Sequence, residues 1–182
     1  MSATTTSTIA PAGTWSTDPV HSVVGFEVAY LAGIFKGAFR DASATLEVAD
    51  DGGTTLEGSA QVGSVDVKDE NLNAHLQSPD FFDAESHPEL LFRAEDLRLE
   101  GEELTIEGEI VIKGVTKPVT LTGTIVPPIE DPWGNTRVGM TVAVTVDRTE
   151  FGLDWNNPLP TGDPALGNEV AITAELQFVK AA

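Results

Sequence analysis

Asp18, His21 and Ser22 bring a carboxylate, an imidazole and a hydroxyl, the three side chains of a hydrolytic triad, into one short stretch. In a triad the carboxylate orients the imidazole and the imidazole takes the hydroxyl proton, so histidine and serine must share a hydrogen bond. His21 and Ser22 are consecutive at the entry to a strand, where successive side chains point to opposite faces. The spacing therefore predicts a turn from Asp18-Pro19 into a strand, tied down by Asp18 or His21, and no nucleophilic site.

The other histidines, His75 and His87, stand near Asp80, Asp83, Glu85 and Glu89, a mixture of imidazole and carboxylate that suits several divalent ions. The spacing matches no zinc motif such as two histidines four apart on a helix. In a chain with 29 acidic residues a carboxylate beside a histidine is expected by chance. No Gly-rich phosphate loop precedes a helix, and no pair of carboxylates stands out for acid-base work. The sequence predicts no catalytic residue and no metal ligand.

The elements that would position these residues are strands. Val138, Met140, Val142, Val144 and Val146 alternate with small or polar residues at a period of two. The alternation returns in Leu104–Ile112, Val119–Ile125 and Val170–Phe178, and more weakly in Val24–Val28, Ile34–Val48, Thr54–Val65 and Leu90–Ala94, about eight strands in all. Asp50-Asp51-Gly52-Gly53, Glu100-Gly101, Lys113-Gly114 and Asp131-Pro132-Trp133-Gly134-Asn135 separate them as turns. An even number of hairpin-linked antiparallel strands can close into a barrel, which removes exposed edges. A β-sandwich would show similar spacing. One segment departs from the pattern: Leu72 and Leu76 lie four apart behind acidic residues suited to a helix start, and Pro79 ends the helix before Phe81 and Phe82. The connection Asp154 to Gly167 is long enough to act as a lid.

The strands imply an apolar interior, and its lining sets what it can hold. Gly58, Ala60, Gly108, Gly123 and Ala174 fall at inward positions where a solidly packed barrel needs bulk. Small residues there leave room for a guest, and an inward face nearly without charge predicts an apolar one. Each buried methylene contributes about 0.8 kcal/mol, against an association cost of about 4–15 kcal/mol. A guest retained through purification then needs on the order of twenty carbons, which favours a long polyprenyl chain over a small metabolite.

Composition narrows the partners. A formal charge of -19 repels phosphate backbones and anionic headgroups, so nucleic acid is not an expected partner. The absence of cysteine excludes disulfides and thiolate chemistry. No segment is long and apolar enough to be read as a transmembrane span. Residues 1–13 are rich in Ser and Thr without the apolar run of a signal peptide, so they are read as a disordered tail ahead of one domain at 14–182. A cytoplasmic location is the expectation, unless an export signal was removed beforehand.

Four blocks, in order, resemble the YceI-like family. The stretch Thr14–Phe26 is similar to its opening signature, and His75-Leu76-Gln77-Ser78-Pro79-Asp80-Phe81-Phe82-Asp83 with His87-Pro88-Glu89 and Phe92 to its central motif. Leu104-Thr105-Ile106 with Ile112–Val119, and Phe151-Gly152-Leu153-Asp154-Trp155, resemble its third and fourth blocks. The resemblance implies an all-β fold, an extended eight-stranded antiparallel lipocalin-like β-barrel with a short helical segment. It also implies a polyisoprenoid or isoprenoid-quinone chain bound in a tunnel, by a non-catalytic carrier, storage or protective protein with no other cofactor. Many members are periplasmic, and members commonly carry histidine where this chain has Tyr30, so no role passes to that side chain. A homodimer is compatible with this reading.

The expected ligand-contacting residues are Val24, Phe26, Val28, Phe39, Leu46, Leu72, Leu76, Phe81, Phe82, Phe92, Ile110, Leu121, Val142, Phe151 and Trp155. Trp155, Asn156 and Asn157 are expected to meet the guest's polar end. Two other readings stay open: an enzyme acting on a lipid or quinone with His21, His75 or His87 as base, and a ligand-free barrel that interacts through its acidic outside.

Overall fold

Apolar residues at a period of two give each strand one face to bury, and the computed structural model, which describes residues 8–182, buries them by closing the sheet on itself. The strands are β1 (Gly13–Thr17), β2 (Val23–Tyr30), β3 (Gly33–Phe39), β4 (Ala42–Val48), β5 (Thr54–Gln61), β6 (Val65–Asp66), β7 (Glu89–Glu95), β8 (Arg98–Glu100), β9 (Glu103–Ile112), β10 (Val115–Glu130), β11 (Thr136–Asp147) and β12 (Leu166–Lys180). One helix, α1 (Glu70–Gln77), lies between β6 and β7. All pairings are antiparallel.

The ring runs β1, β4, β5, β7, β9, β10, β11, β12 and back to β1, an eight-stranded closed barrel. The other strands lengthen its staves. Beyond β1, β2 takes over the pairing with β12; β3 runs ahead of β4, β6 follows β5, and β8 continues the side of β9 that β7 occupies. The expected eight strands therefore correspond to eight staves, four of them interrupted. The interruption between β1 and β2 is the Asp18 turn, where Asp18 Oδ1 accepts the Val20 N–H at 2.9 Å.

The barrel is solid at one end and hollow at the other. Trp15, Leu46, Leu104, Ile106 and Phe178 are at most 1% exposed and pack with Val138 and Met140 in the solid half. Along β11 the inward residues Val138, Met140 and Val142 are buried, whereas Val144 and Val146 on the same face are only half-buried. The same change runs along β12, from Phe178 to Ile172 and Val170. Chemically equivalent valines lose contacts because the barrel opens around them.

Residues 1–7 of the expected tail lie outside the described residues, but the remainder of that tail is ordered. Ile9 and Ala10 are buried at 3% and 2% in the solid half, and Trp15 Nε1 donates to the Pro11 carbonyl at 3.0 Å. Two apolar residues in a Ser/Thr-rich stretch thus plug the barrel base. The first strand is also earlier than expected, β1 preceding the Asp18 turn.

Two of the small inward residues are not there for a guest. A Cβ on Gly123 would lie 1.8 Å from the Thr141 carbonyl oxygen, and one on Gly108 would lie 2.5 Å from that of Arg93 and 2.8 Å from the Phe92 ring. At these points strands and side chains approach too closely for any side chain. At Gly58 the nearest atoms to a new Cβ are 3.6 Å away, an ordinary contact. Gly123→Ala is therefore expected to destabilise by about 3 kcal/mol, while Gly58→Ala is neutral or stabilising by up to about 1 kcal/mol. Urea unfolding of the two variants checks the contrast.

Candidate functional site: an apolar cavity under a tethered loop

The hollow half encloses a cavity of about 240 Å³. β2 contributes Val24, Phe26 and Val28, β3 contributes Phe35 and Phe39, the neighbouring β12 and β11 contribute Val170, Ile172, Val144 and Val146, and Phe92 and Ile110 face them from across the ring. Leu56, Leu121, Val142 and Leu176 form the floor against the solid half.

Helix α1 and the segment after it roof the cavity. Asp69 caps the helix by accepting from Asn71 N and Leu72 N, which satisfies two otherwise unpaired amides. Asn73 Nδ2 donates to Val65 O at 2.6 Å and ties the helix to β6. The Leu72, His75 and Leu76 side chains then fall on one face, at helical spacing, and line the cavity. Phe81 and Phe82 follow, the latter's N–H donating to Leu76 O at 3.0 Å. Lys113 Nζ joins this roof to the next, donating to Pro79 O at 2.7 Å and Gly152 O at 3.4 Å. It can do so because Lys113 and Gly114 form a tight two-residue hairpin with both φ positive. Gly114 also lies against His87, whose Cε1 would be 2.7 Å from any added Cβ.

The second roof is the loop from Gly152 to Ala165. Trp155 lines the cavity and meets His75 edge-on at 4.8 Å and Phe81 at 5.3 Å between ring centroids. Arg148, in a single 3-10 turn after β11 (Arg148–Phe151), holds the loop down. Its Nε donates to Gly167 O at 2.8 Å and its Nη1 to Leu153 O at 2.5 Å and Trp155 O at 2.8 Å. Its Nη2 reaches Leu166 O and Asn168 Oδ1 only at 3.4 Å. The register of β12 against β2 shifts between Leu166 and Val170, so this bulge releases carbonyls that the guanidinium takes up. Arg148 is 5% exposed and lines the cavity. Burial pushes its pKa down, and the more distant charges of Asp147 and Asp154 oppose that.

Most expected contact residues line this cavity: Val24, Phe26, Val28, Phe39, Leu72, Leu76, Phe81, Phe82, Phe92, Ile110, Leu121, Val142, Phe151 and Trp155. Three do not. Leu46 is fully buried in the solid half, because β4 pairs there with β1. Asn156 turns its amide onto backbone, Oδ1 accepting from Asn157, Ala165 and Leu166 N–H and Nδ2 donating to Leu166 O. Asn157 is exposed. The asparagines shape the loop instead of facing its interior. Arg148 is a charge on an inward face expected to be nearly without any, and it was not among the expected contacts. It continues the parity of Val138, Met140, Val142, Val144 and Val146, and that spacing is the sequence signal that marks it as inward.

The triad-like residues lie elsewhere, at the solid end. Asp18 Oδ2 accepts from His21 Nδ1 at 2.7 Å and from Arg137 Nη1 at 2.8 Å, while Ser22 Oγ accepts the Gln177 N–H at 3.0 Å. Arg137 Nε donates to Asp131 Oδ2 at 2.7 Å, so one guanidinium bridges two carboxylates and locks the β10–β11 turn to the β1–β2 turn. His75 pairs with Asp80 at 3.1 Å, and His87 packs on Gly114. Among the described residues no three His, Cys, Asp or Glu side chains gather as a metal site.

Arg137 and then His21 hold Asp18 well below the usual carboxylate range, and Arg137 lowers Asp131 to about 2. A depressed carboxylate stabilises the fold above its unfolded value of 3.8, and that stabilisation fades as pH falls toward about 2. Wild type is therefore expected to exceed Asp131→Asn in stability by a constant margin above about pH 5, shrinking as the acid form fills. Urea titrations from pH 2 to 6 measure it.

A closed antiparallel barrel with an apolar cavity at one end is the architecture of a lipocalin-like binding protein. The family is more specific than the architecture: residues 15–178 match the YceI-like domain, and the chain belongs to that family. Protein YceI of Escherichia coli O157:H7 is 28% identical over 136 residues, covering 73% of this chain and 71% of that protein. The crystal structure of Burkholderia cenocepacia BcnA superposes with a TM-score of 0.74 at 21% identity, over 88% of this chain and 98% of BcnA. A polyisoprenoid binding domain from Saccharophagus degradans, implicated in plant cell wall breakdown, superposes with a TM-score of 0.63 at 10% identity, over 92% of this chain and 98% of that one.

Proposed function

We propose that the protein binds and carries a long apolar lipid of the polyisoprenoid or isoprenoid-quinone class, one chain per barrel. The cavity carries this reading: its walls are almost wholly aliphatic and aromatic. Membership of the YceI-like family and the likeness of this barrel to a polyisoprenoid binding domain support it.

The cavity volume refines the chain length. An engineered cavity of about 150 Å³ takes benzene, so 240 Å³ corresponds to about ten carbons on the same scale. A twenty-carbon guest therefore places about half its length in the resting cavity. The rest displaces side chains or passes between the α1 roof and the Gly152–Ala165 loop, the two parts of the enclosure not built into the barrel ladder.

Organic extraction of the purified protein followed by mass spectrometry tests the function. A stoichiometric long-chain isoprenoid is the expected result. A clean extract, with no uptake of added geranylgeraniol, would refute it.

A further inference from the structure

Arg148 is the anomaly of the cavity. Among the described residues it forms no ion pair, since Arg137 takes Asp18 and Asp131 and the other arginines pair with carboxylates near the surface. Asp147, the adjacent acid, spends its carboxylate on Thr149 N and Oγ1. A buried cation thus faces an apolar chamber, hydrogen-bonded only to neutral acceptors while Asp147 and Asp154 act on it without pairing, and taking an ion out of water without a paired counter-charge is costly. Three of its contacts are short, but both Nη2 contacts are 3.4 Å, at the limit of a hydrogen bond. Nη2, held only by these two long contacts, is the end of the fork that gains most from a better acceptor.

His75 and Tyr30, the polar rings of the lining, stand at the same end, while Ser43 and Ser59 lie on the paired β4 and β5. Trp155 gives its carbonyl to Arg148 and its ring to His75, and Tyr30 stands opposite Leu166 in the β2–β12 register. The opposite end is the floor of Leu121, Val142 and Leu176. The cavity therefore has a polar pole and an apolar one.

Resting on the reading of this cavity as a lipid site, we infer that its ligand ends in an oxyanion, a carboxylate or a phosphate, which Arg148 binds through Nη2 while the tail runs to the floor. A guanidinium fork matches the geometry of either oxyanion and supplies the missing counter-charge.

The test compares three probes with the same twenty-carbon chain: geranylgeranyl phosphate, geranylgeranoic acid and geranylgeraniol. Wild type is expected to bind the two anions about tenfold to a hundredfold more tightly than the alcohol, and the tighter anion names the head. In Arg148→Gln the anion-to-alcohol ratio falls to about one, on top of whatever common loss the freed loop causes in all three probes. If Arg148 merely held the loop, the variant would weaken all three probes alike. Equal affinities in wild type, or a ratio that survives in Arg148→Gln, overturn this inference and leave the carrier reading standing. Failure of all three to bind wild type overturns the carrier reading itself. Should the variant not fold, a wild-type crystal structure with geranylgeranyl phosphate decides: phosphate at Nη2 supports the inference, and phosphate elsewhere overturns it.

Discussion

Gly58→Phe is expected to abolish lipid binding while leaving the barrel folded. A Cβ at this position sits in ordinary contact with Ala44 Cβ and the Ser43 carbonyl, so the ring enters the cavity instead of straining the wall. Displacing as few as four methylenes costs the complex about 3 kcal/mol, a loss of at least about a hundredfold in affinity. Gly58→Ala, which adds a methyl group only, should bind nearly as wild type. Titration with geranylgeraniol, beside circular dichroism to confirm the sheet, reads both quantities. Unchanged affinity in Gly58→Phe would place the binding site outside this cavity.

Trp15→Ala is expected to produce the largest loss of stability. Trp15 is fully buried in the solid half, and its Nε1 satisfies the Pro11 carbonyl. Removing a buried tryptophan costs about 3–5 kcal/mol, a fall in Tm of roughly 6–20 °C for a domain of this size. β1 has one large inward side chain, so the variant also loosens its pairing with β4 and β12. Differential scanning calorimetry gives the shift, and a drop under about 1 kcal/mol would show that the solid half repacks.

The eight staves were legible because a sheet with one wet face leaves a period of two in its sequence. Val138 to Val146 shows it most clearly. β1 was not legible: in Gly13–Thr17 Trp15 is the one large apolar side chain on the inward face, and one apolar residue makes no period. Nor was the division into solid and hollow halves, since Val142 and Val146 are the same residue in the same register and differ only in what lies across the barrel. Leu46 was placed among the contacts for that reason. Gly108 and Gly123 looked like space because a missing side chain reads the same whether a guest or a backbone carbonyl fills its place. The four-residue spacing of Leu72 and Leu76 and the stop at Pro79 located the helix of the roof and the Phe81-Phe82 pair after it. The family blocks did not mark Arg148, which lies just outside the block that begins at Phe151.

The meeting of β1 and β12 sets an order on the protein's birth. The ring closes where β12 meets β1, through Trp15 with Lys180, Ser16 with Val179 and Thr17 with Phe178, and then β2 beyond it, so the seam joins strands from opposite ends of the described chain. While the chain is being synthesised, β1 can pair with β4, but its other edge must wait until β12 has left the ribosome. During that interval the nascent sheet has an unpaired edge and an apolar face open to solvent, the state in which strands from neighbouring chains find each other. The seam that completes the container is thus also the last one to form.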